Sequence, residues 1–110
     1  MRISVTFRHT EPTDALKEYA ETKFGKAKKY LEEPLQAEVV LTVEKFRHIA
    51  EINLRADGTV FNGTESSDNM YSSIDLVADK LERQIKKHKT KGKSKAVHAR
   101  NAAQQSLGKE

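Results

Sequence analysis

Ile3, Val5 and Phe7 alternate with Arg2, Ser4, Thr6 and Arg8, and a period of two predicts a strand with one buried face. The period then lengthens. Leu16, Ala20, Phe24, Ala27 and Leu31 recur every three or four residues, which places them on one stripe of a helix between Pro12-Thr13 and Pro34. Gly25 inside this stretch marks a bend or the approach of another backbone, because glycine costs a helix about 1 kcal/mol relative to alanine. Alternation returns with Ala37, Val39, Leu41 and Val43 in a second strand and Ala50, Ile52 and Leu54 in a third, joined as a hairpin through Phe46-Arg47-His48. Asp57-Gly58 supplies a tight turn, and Thr59 to Asn62 returns as a short fourth strand ended by Gly63. Ser66-Ser67-Asp68 offers N-caps for a second helix, expected from about 69 to 89, whose apolar stripe is Met70, Ile74, Val77, Ala78, Leu81 and Ile85.

The order β-α-β-β-β-α, with one apolar stripe on each helix and one apolar face on the sheet, predicts an α+β fold. Two helices packed on one face of a four-stranded sheet bury all of these surfaces together. The 110 residues fit a single domain, expected over 1–90. From 91 to 110 the chain is basic and poor in apolar residues, without clear periodicity, and reads as a disordered tail in which Ala96 to Ser106 is able to become helical on a partner. The apolar runs are too short for a membrane span, and MRISVTFRHT lacks the apolar core and cleavage site of a signal peptide.

Charge changes the picture. Charged residues make up 33% of the chain, against about 25% in an average domain, and they are unevenly placed. Residues 79–100 hold nine Lys or Arg against two acids, while the whole chain carries only +4, so the remainder is mildly acidic. At about 100° per residue, Lys80, Arg83, Lys86 and Lys87 lie on an arc away from Val77, Leu81 and Ile85. Cations near a helix C-terminus suit its dipole, but that does not explain a run that continues through Lys89 and Lys91. Polyanion binding does. The first helix adds Lys23, Lys26, Lys28 and Lys29 near its own end, alone readable as a solvated face ion-paired with Glu18 and Glu21. Side by side, the two lysine-rich helix ends would border one groove that tracks phosphates with little base reading. The aromatics supply no stacking platform: Phe7 and Phe24 belong to core patterns, and Tyr19, Tyr30 and Tyr71 are scattered along the chain. Recognition by shape and charge fits structured RNA.

Catalytic chemistry finds no purchase. There is no cysteine, hence no disulfide frame, thiolate zinc site or cysteine nucleophile, in keeping with a reducing cytosol. His9, His48, His88 and His98 lack the i+3 or i+4 partners of a helical metal site, and the glycines form neither a P-loop nor a dinucleotide pattern. No enzyme activity, metal or cofactor is expected.

"DNMYSSIDLVADKLERQIKKHKTK", residues 68 to 91, resembles the hallmark helix of the bacterial ribosome hibernation-promoting factor family, which includes the ribosome-associated inhibitors. "KFGKAKKYL", "AEVVLTVEK" and "AEINLRADG" are similar to family members as well, so the resemblance covers residues 1 to about 91. It implies a cytoplasmic protein, monomeric away from the ribosome, that enters the cleft of the small ribosomal subunit near the decoding centre. There it would overlap the messenger RNA and tRNA sites and hold ribosomes idle during starvation or stationary phase. Carried over by position, Lys80, Arg83, Lys86, Lys87, Lys89 and Lys91 would contact ribosomal RNA, with Lys23, Lys26 and Lys29 lining the same channel. Tyr71 and Asp75 would position the start of the helix.

Long family members continue into a C-terminal domain that pairs ribosomes, and this chain, ending at Glu110, resembles the short form. Its last residues are basic, unlike the acidic extension of members that block pairing. That favours the branch working beside a separate small ribosome modulation factor. Two alternatives remain open: a double-stranded or structured RNA-binding module, whose gripping lysines belong at the N-terminal end of the second helix, and a protein-interaction regulator of transcription whose basic tail binds an acidic partner.

Overall fold

The structure, a computed structural model, describes residues 1–56 and 58–93, with side chains in the last helix described as far as His88. Strand β1 (Arg2–Arg8) leads into helix α1 (Asp14–Gly25), followed by a 3-10 segment (Lys26–Lys29), then β2 (Gln36–Glu44), β3 (Arg47–Ala56), β4 (Thr59–Ser67) and α2 (Met70–Lys93). The strands form one sheet in the order β1-β2-β3-β4. β1 pairs parallel with β2, Val5 opposite Val39, while β2, β3 and β4 pair antiparallel. This is the α+β arrangement expected from the alternation of periods.

Both helices cover the face that carries Ile3, Val5 and Phe7 of β1, Ala37, Val39 and Leu41 of β2, Ala50, Ile52, Leu54 and Ala56 of β3, and Phe61 of β4. Against it α1 and the 3-10 segment set Ala20, Phe24 and Ala27, and α2 sets Met70, Ile74, Val77, Leu81 and Ile85. Burying a side chain such as Phe24, which is 1% exposed, stabilises by about 1.5–3 kcal/mol. The polar alternates of the strands face solvent on the other side.

Thr13 caps α1, its Oγ1 accepting from the Leu16 N–H at 3.2 Å. The bend expected at Gly25 is an ending: the α-helix stops there and the chain tightens into the 3-10 turn, a common way for a helix to close. Three expectations need correction. The cap of α2 is Asn69, whose Oδ1 accepts from the N–H groups of Tyr71 (2.8 Å) and Ser72 (3.3 Å), while Ser66 and Ser67 belong to β4. The β2–β3 turn is Lys45-Phe46 alone, because Glu44 already pairs with Arg47. β4 runs to Ser67 instead of stopping at Gly63. Gly63 sits inside that strand because the stem of Lys80 crosses it; a Cβ there would lie 3.1 Å from Lys80 Cδ.

α2 also outruns its expected end at 89 and continues to Lys93. The expected tail from 94 to 110 lies outside the described residues. Since β1 and β2 are parallel and α1 is the crossover between them, α1 runs against β1; α2, following β4, runs the same way. The two helices are parallel, with their lysine-rich C-terminal ends at one end of the domain.

Candidate nucleic-acid interface

The flanks of α2 are tied down differently from its crest. On the β4 side Lys80 Nζ pairs with Glu65 Oε2 at 3.0 Å, and Gln84 Nε2 donates to the Asn62 carbonyl at 2.7 Å. On the α1 side Lys86 pairs with Glu82 one turn earlier at 3.2 Å. Between these flanks Arg83 and Lys87 are exposed, and among the described residues neither has an ion-pair partner. Lys80, Arg83, Gln84, Lys86 and Lys87 together line an open depression. Solvated cations without a carboxylate partner are the cheapest to hand to a phosphate.

A cleft of about 150 Å³ separates α2 from α1 and the 3-10 segment. Lys23, Lys26, Lys29 and Tyr30 form one wall, Asp79 and Glu82 the other, and Phe24, Ala27, Leu81 and Ile85 the floor. The expectation of one groove bordered by both lysine-rich ends needs correction: α2 turns Asp79 and Glu82 toward this cleft, while its cations line the separate depression. The lysines of the cleft are not equivalent. Lys23 lies 3.2 Å from Asp75, whereas Lys26 and Lys29 are exposed and without an ion pair among the described residues. Among the described residues the pairing with Glu18 and Glu21 read from helix spacing is not found; Lys23 pairs across to the other helix instead. Lys89 and Lys91 belong to α2, but their side chains lie outside the described residues.

Two junctions of the same composition hold the helices together. Tyr19 donates to Asp75 at 2.6 Å, with Lys23 on the same carboxylate and 5.8 Å from the Tyr19 ring centre. Farther along, Tyr30 donates to Glu82 at 3.2 Å, with Lys86 on that carboxylate and 5.7 Å from the Tyr30 ring centre. The hydrogen bond from the Tyr19 hydroxyl, together with the Lys23 ammonium, holds the Asp75 carboxyl below its ordinary range against the effect of burial. Lys86 first and Tyr30 second do the same for Glu82. The Tyr19 hydroxyl is pushed up by the carboxylate it bonds, and Lys23 and Lys86 are raised by theirs. Tyrosines scattered in sequence are thus gathered at the helix pair, Tyr71 included: its ring meets that of Tyr19 edge-on at 4.9 Å. Tyr71 and Asp75 dock α1, and Asn69 positions the start of α2.

Among the described residues no group of three or more His, Cys, Asp or Glu is able to hold a metal, and no helix is long and apolar enough to cross a membrane. His88 meets Phe61 edge-on at 5.3 Å, and the His48 carbonyl accepts from Ser73 at 2.6 Å.

The profile of the family described as "Sigma 54 modulation protein / S30EA ribosomal protein" matches residues 3–93. The chain is 40% identical over 91 residues to the "Ribosome hibernation promoting factor" of Salmonella typhimurium and 38% identical to that of Escherichia coli, covering 83% of this chain and 96% of each relative. Among solved structures it is similar to the N-terminal domain of Thermus thermophilus Protein Y (TM-score 0.75, 31% identity, 80% of this chain and 99% of that one). It is likewise similar to a ribosomal subunit interface protein from Coxiella burnetii (TM-score 0.73, 27% identity, 82% and 99%). With the β-α-β-β-β-α fold, the paired helices and a match spanning nearly the whole described chain, this protein belongs to the sigma 54 modulation protein / S30EA ribosomal protein family.

Proposed function

We propose that this chain is a ribosome hibernation factor that docks on the RNA of the small ribosomal subunit and keeps ribosomes translationally inactive. The observation that carries the reading is the set of exposed cations toward the C-terminal ends of the parallel helices, Lys26 and Lys29 after α1 and Arg83 and Lys87 on α2, none in an ion pair among the described residues. Such a surface grips phosphates whatever the base sequence. The relatives named as hibernation promoting factors support ribosome binding as its use.

In this reading the helix pair enters the cleft near the decoding centre, with Lys80, Arg83, Lys86, Lys87, Lys89 and Lys91 along one side and Lys23, Lys26 and Lys29 along the other. Messenger RNA and tRNA are excluded by occupancy, during starvation or stationary phase and in the cytoplasm, and no bond is made or broken. A separate small modulation factor would act beside it in pairing ribosomes. The double-stranded RNA-binding alternative wants lysines at the start of the second helix, where this chain has Asn69 as the cap and Tyr71 and Ser72 in the first turn.

The test is sedimentation of purified protein with small subunits and with whole ribosomes at moderate salt, with and without messenger RNA and initiator tRNA. Co-sedimentation that the two ligands reduce is the expected result. A folded protein that stays in the supernatant removes the reading and directs attention to an acidic protein partner.

A further inference from the structure

Among the described residues the large hydrophobic side chains left exposed are Phe46, Val60, Tyr71 and Leu76. Phe46 stands apart at 85% exposed. It is the second residue of the two-residue turn between β2 and β3, which the Glu44–Arg47 pair closes. The first residue, Lys45, has φ 55, in the left-handed region where such hairpins favour Gly, Asn or Asp. Neither Lys nor Phe is chosen by turn chemistry, and the ring is left out of the core. A turn filled against local preference points to a use outside folding.

The surroundings narrow that use. Lys45 and Arg47 are exposed on either side of the ring, with Glu44 the one carboxylate beside them in the chain. Arg47 Nη2 donates to Ser66 Oγ at 2.9 Å, which ties the base of the hairpin to β4 and holds the tip in place. A protein pocket would ask for a contiguous apolar patch around Phe46, and the flanking side chains here are charged. A ring between cations suits a nucleic-acid base between phosphates.

We propose that the tip formed by Lys45, Phe46 and Arg47 is a second RNA contact, in which the Phe46 ring stacks on an unpaired base and the two cations hold the adjoining phosphates. The proposal rests on the RNA-binding reading above. Stacking on aromatic side chains is how proteins take up splayed single-stranded bases, and a ring fixed in a short hairpin loses little freedom on binding. The tip also lies at the other end of the domain from the basic groove. Ser73 of α2 reaches the His48 carbonyl near the hairpin, and from Ser73 to Lys87 the helix advances about 21 Å. The groove grips backbone and the ring takes a base, so together they fix the orientation of the protein on its RNA.

The chain contains no tryptophan, so Phe46→Trp installs a single tryptophan at the tip, excited at wavelengths where the three tyrosines do not absorb. On purified small subunits its emission should be quenched and shielded from acrylamide. Phe46→Ala should bind about tenfold more weakly, with an unchanged salt dependence because no charge is lost. If the Phe46→Trp protein co-sediments while its emission stays as in the free state, the tip contact is overturned and the groove reading is left intact. Blue-shifted emission without quenching also overturns it, because the ring would then be buried in a ribosomal protein. If the wild-type chain itself fails to sediment, the groove reading falls and the tip contact falls with it.

Discussion

The Tyr19 hydroxyl lies 2.6 Å from the Asp75 carboxylate, joining the second turn of α1 to the second turn of α2 across 56 residues of sequence. Lys23 completes the junction at 3.2 Å from the same carboxylate. Because the folded Asp75 carboxyl is held below its ordinary value, it contributes stability that is present above the unfolded value of about 4 and is lost as pH falls through the depressed one. Lys23 is raised, so its share is present below an unfolded value of about 10.4 and is lost as pH rises through the folded one. Urea unfolding at a series of pH values should therefore show a shallower acid-side decline for Asp75→Asn than for wild type. Parallel pH profiles would mean that the junction carries no coupling.

The crest and flanks of α2 should separate by mutation. Arg83→Glu with Lys87→Glu reverses two exposed cations without touching the core, and is expected to abolish co-sedimentation with small subunits at an unchanged unfolding midpoint. If about six phosphates are neutralised in all, wild-type affinity should fall about a thousandfold between 50 and 200 mM salt. Lys80→Ala or Lys86→Ala should cost less, since each lysine already faces a carboxylate. Equal losses at all four positions would contradict that division.

Removing the carboxylates should act in the opposite direction. Glu65→Gln and Glu82→Gln free Lys80 and Lys86 of their partners, and each is expected to tighten binding to small subunits severalfold at low salt with a steeper salt dependence. Filter binding across a salt series measures both quantities. Weaker binding would show that these pairs hold the lysines in their working geometry.

Ser73 sets a stability reference away from the charges. It is 0% exposed, and its hydroxyl donates to the His48 carbonyl at 2.6 Å and lies 2.8 Å from Ser67 Oγ. Ser73→Ala should cost about 1–2 kcal/mol by leaving buried acceptors unpaired, read as a lower denaturant midpoint at constant slope. Phe24→Ala, a large core truncation, should cost about 3–5 kcal/mol. Both proteins should keep subunit binding under conditions where they remain folded.

Much of this fold is legible in the chain because burial writes its period into the sequence. Ala37, Val39 and Leu41 alternate as β2 requires, and Ala20, Phe24, Ala27 and Leu31 keep the helical spacing even where the α-helix gives way to a 3-10 turn. β4 is harder to read past Phe61, since its inward positions there are Gly63, Glu65 and Ser67. They face the Lys80 stem, the Lys80 ammonium and Ser73, so the hydrophobic alternation disappears where the packing partner is polar. The lysines of the candidate interface are visible as a charge pattern. Their division into paired and unpaired is not, because Asp75 meets Lys23 and Glu82 meets Tyr30 only after the helices dock. Phe46 carries a signal that periodicity does not weigh: an aromatic ring in a two-residue turn.

Glu65, Asp75 and Glu82 are, in effect, counterions that the protein brings with it. Under the proposed function, a lysine at a flank of the groove trades one carboxylate for one phosphate when RNA arrives, and trades back when it leaves. Departure from the ribosome is then an exchange of partners at those positions, with no bare charge exposed on the way. A factor that must silence ribosomes and also let them go gains reversibility from the same acids that weaken its grip.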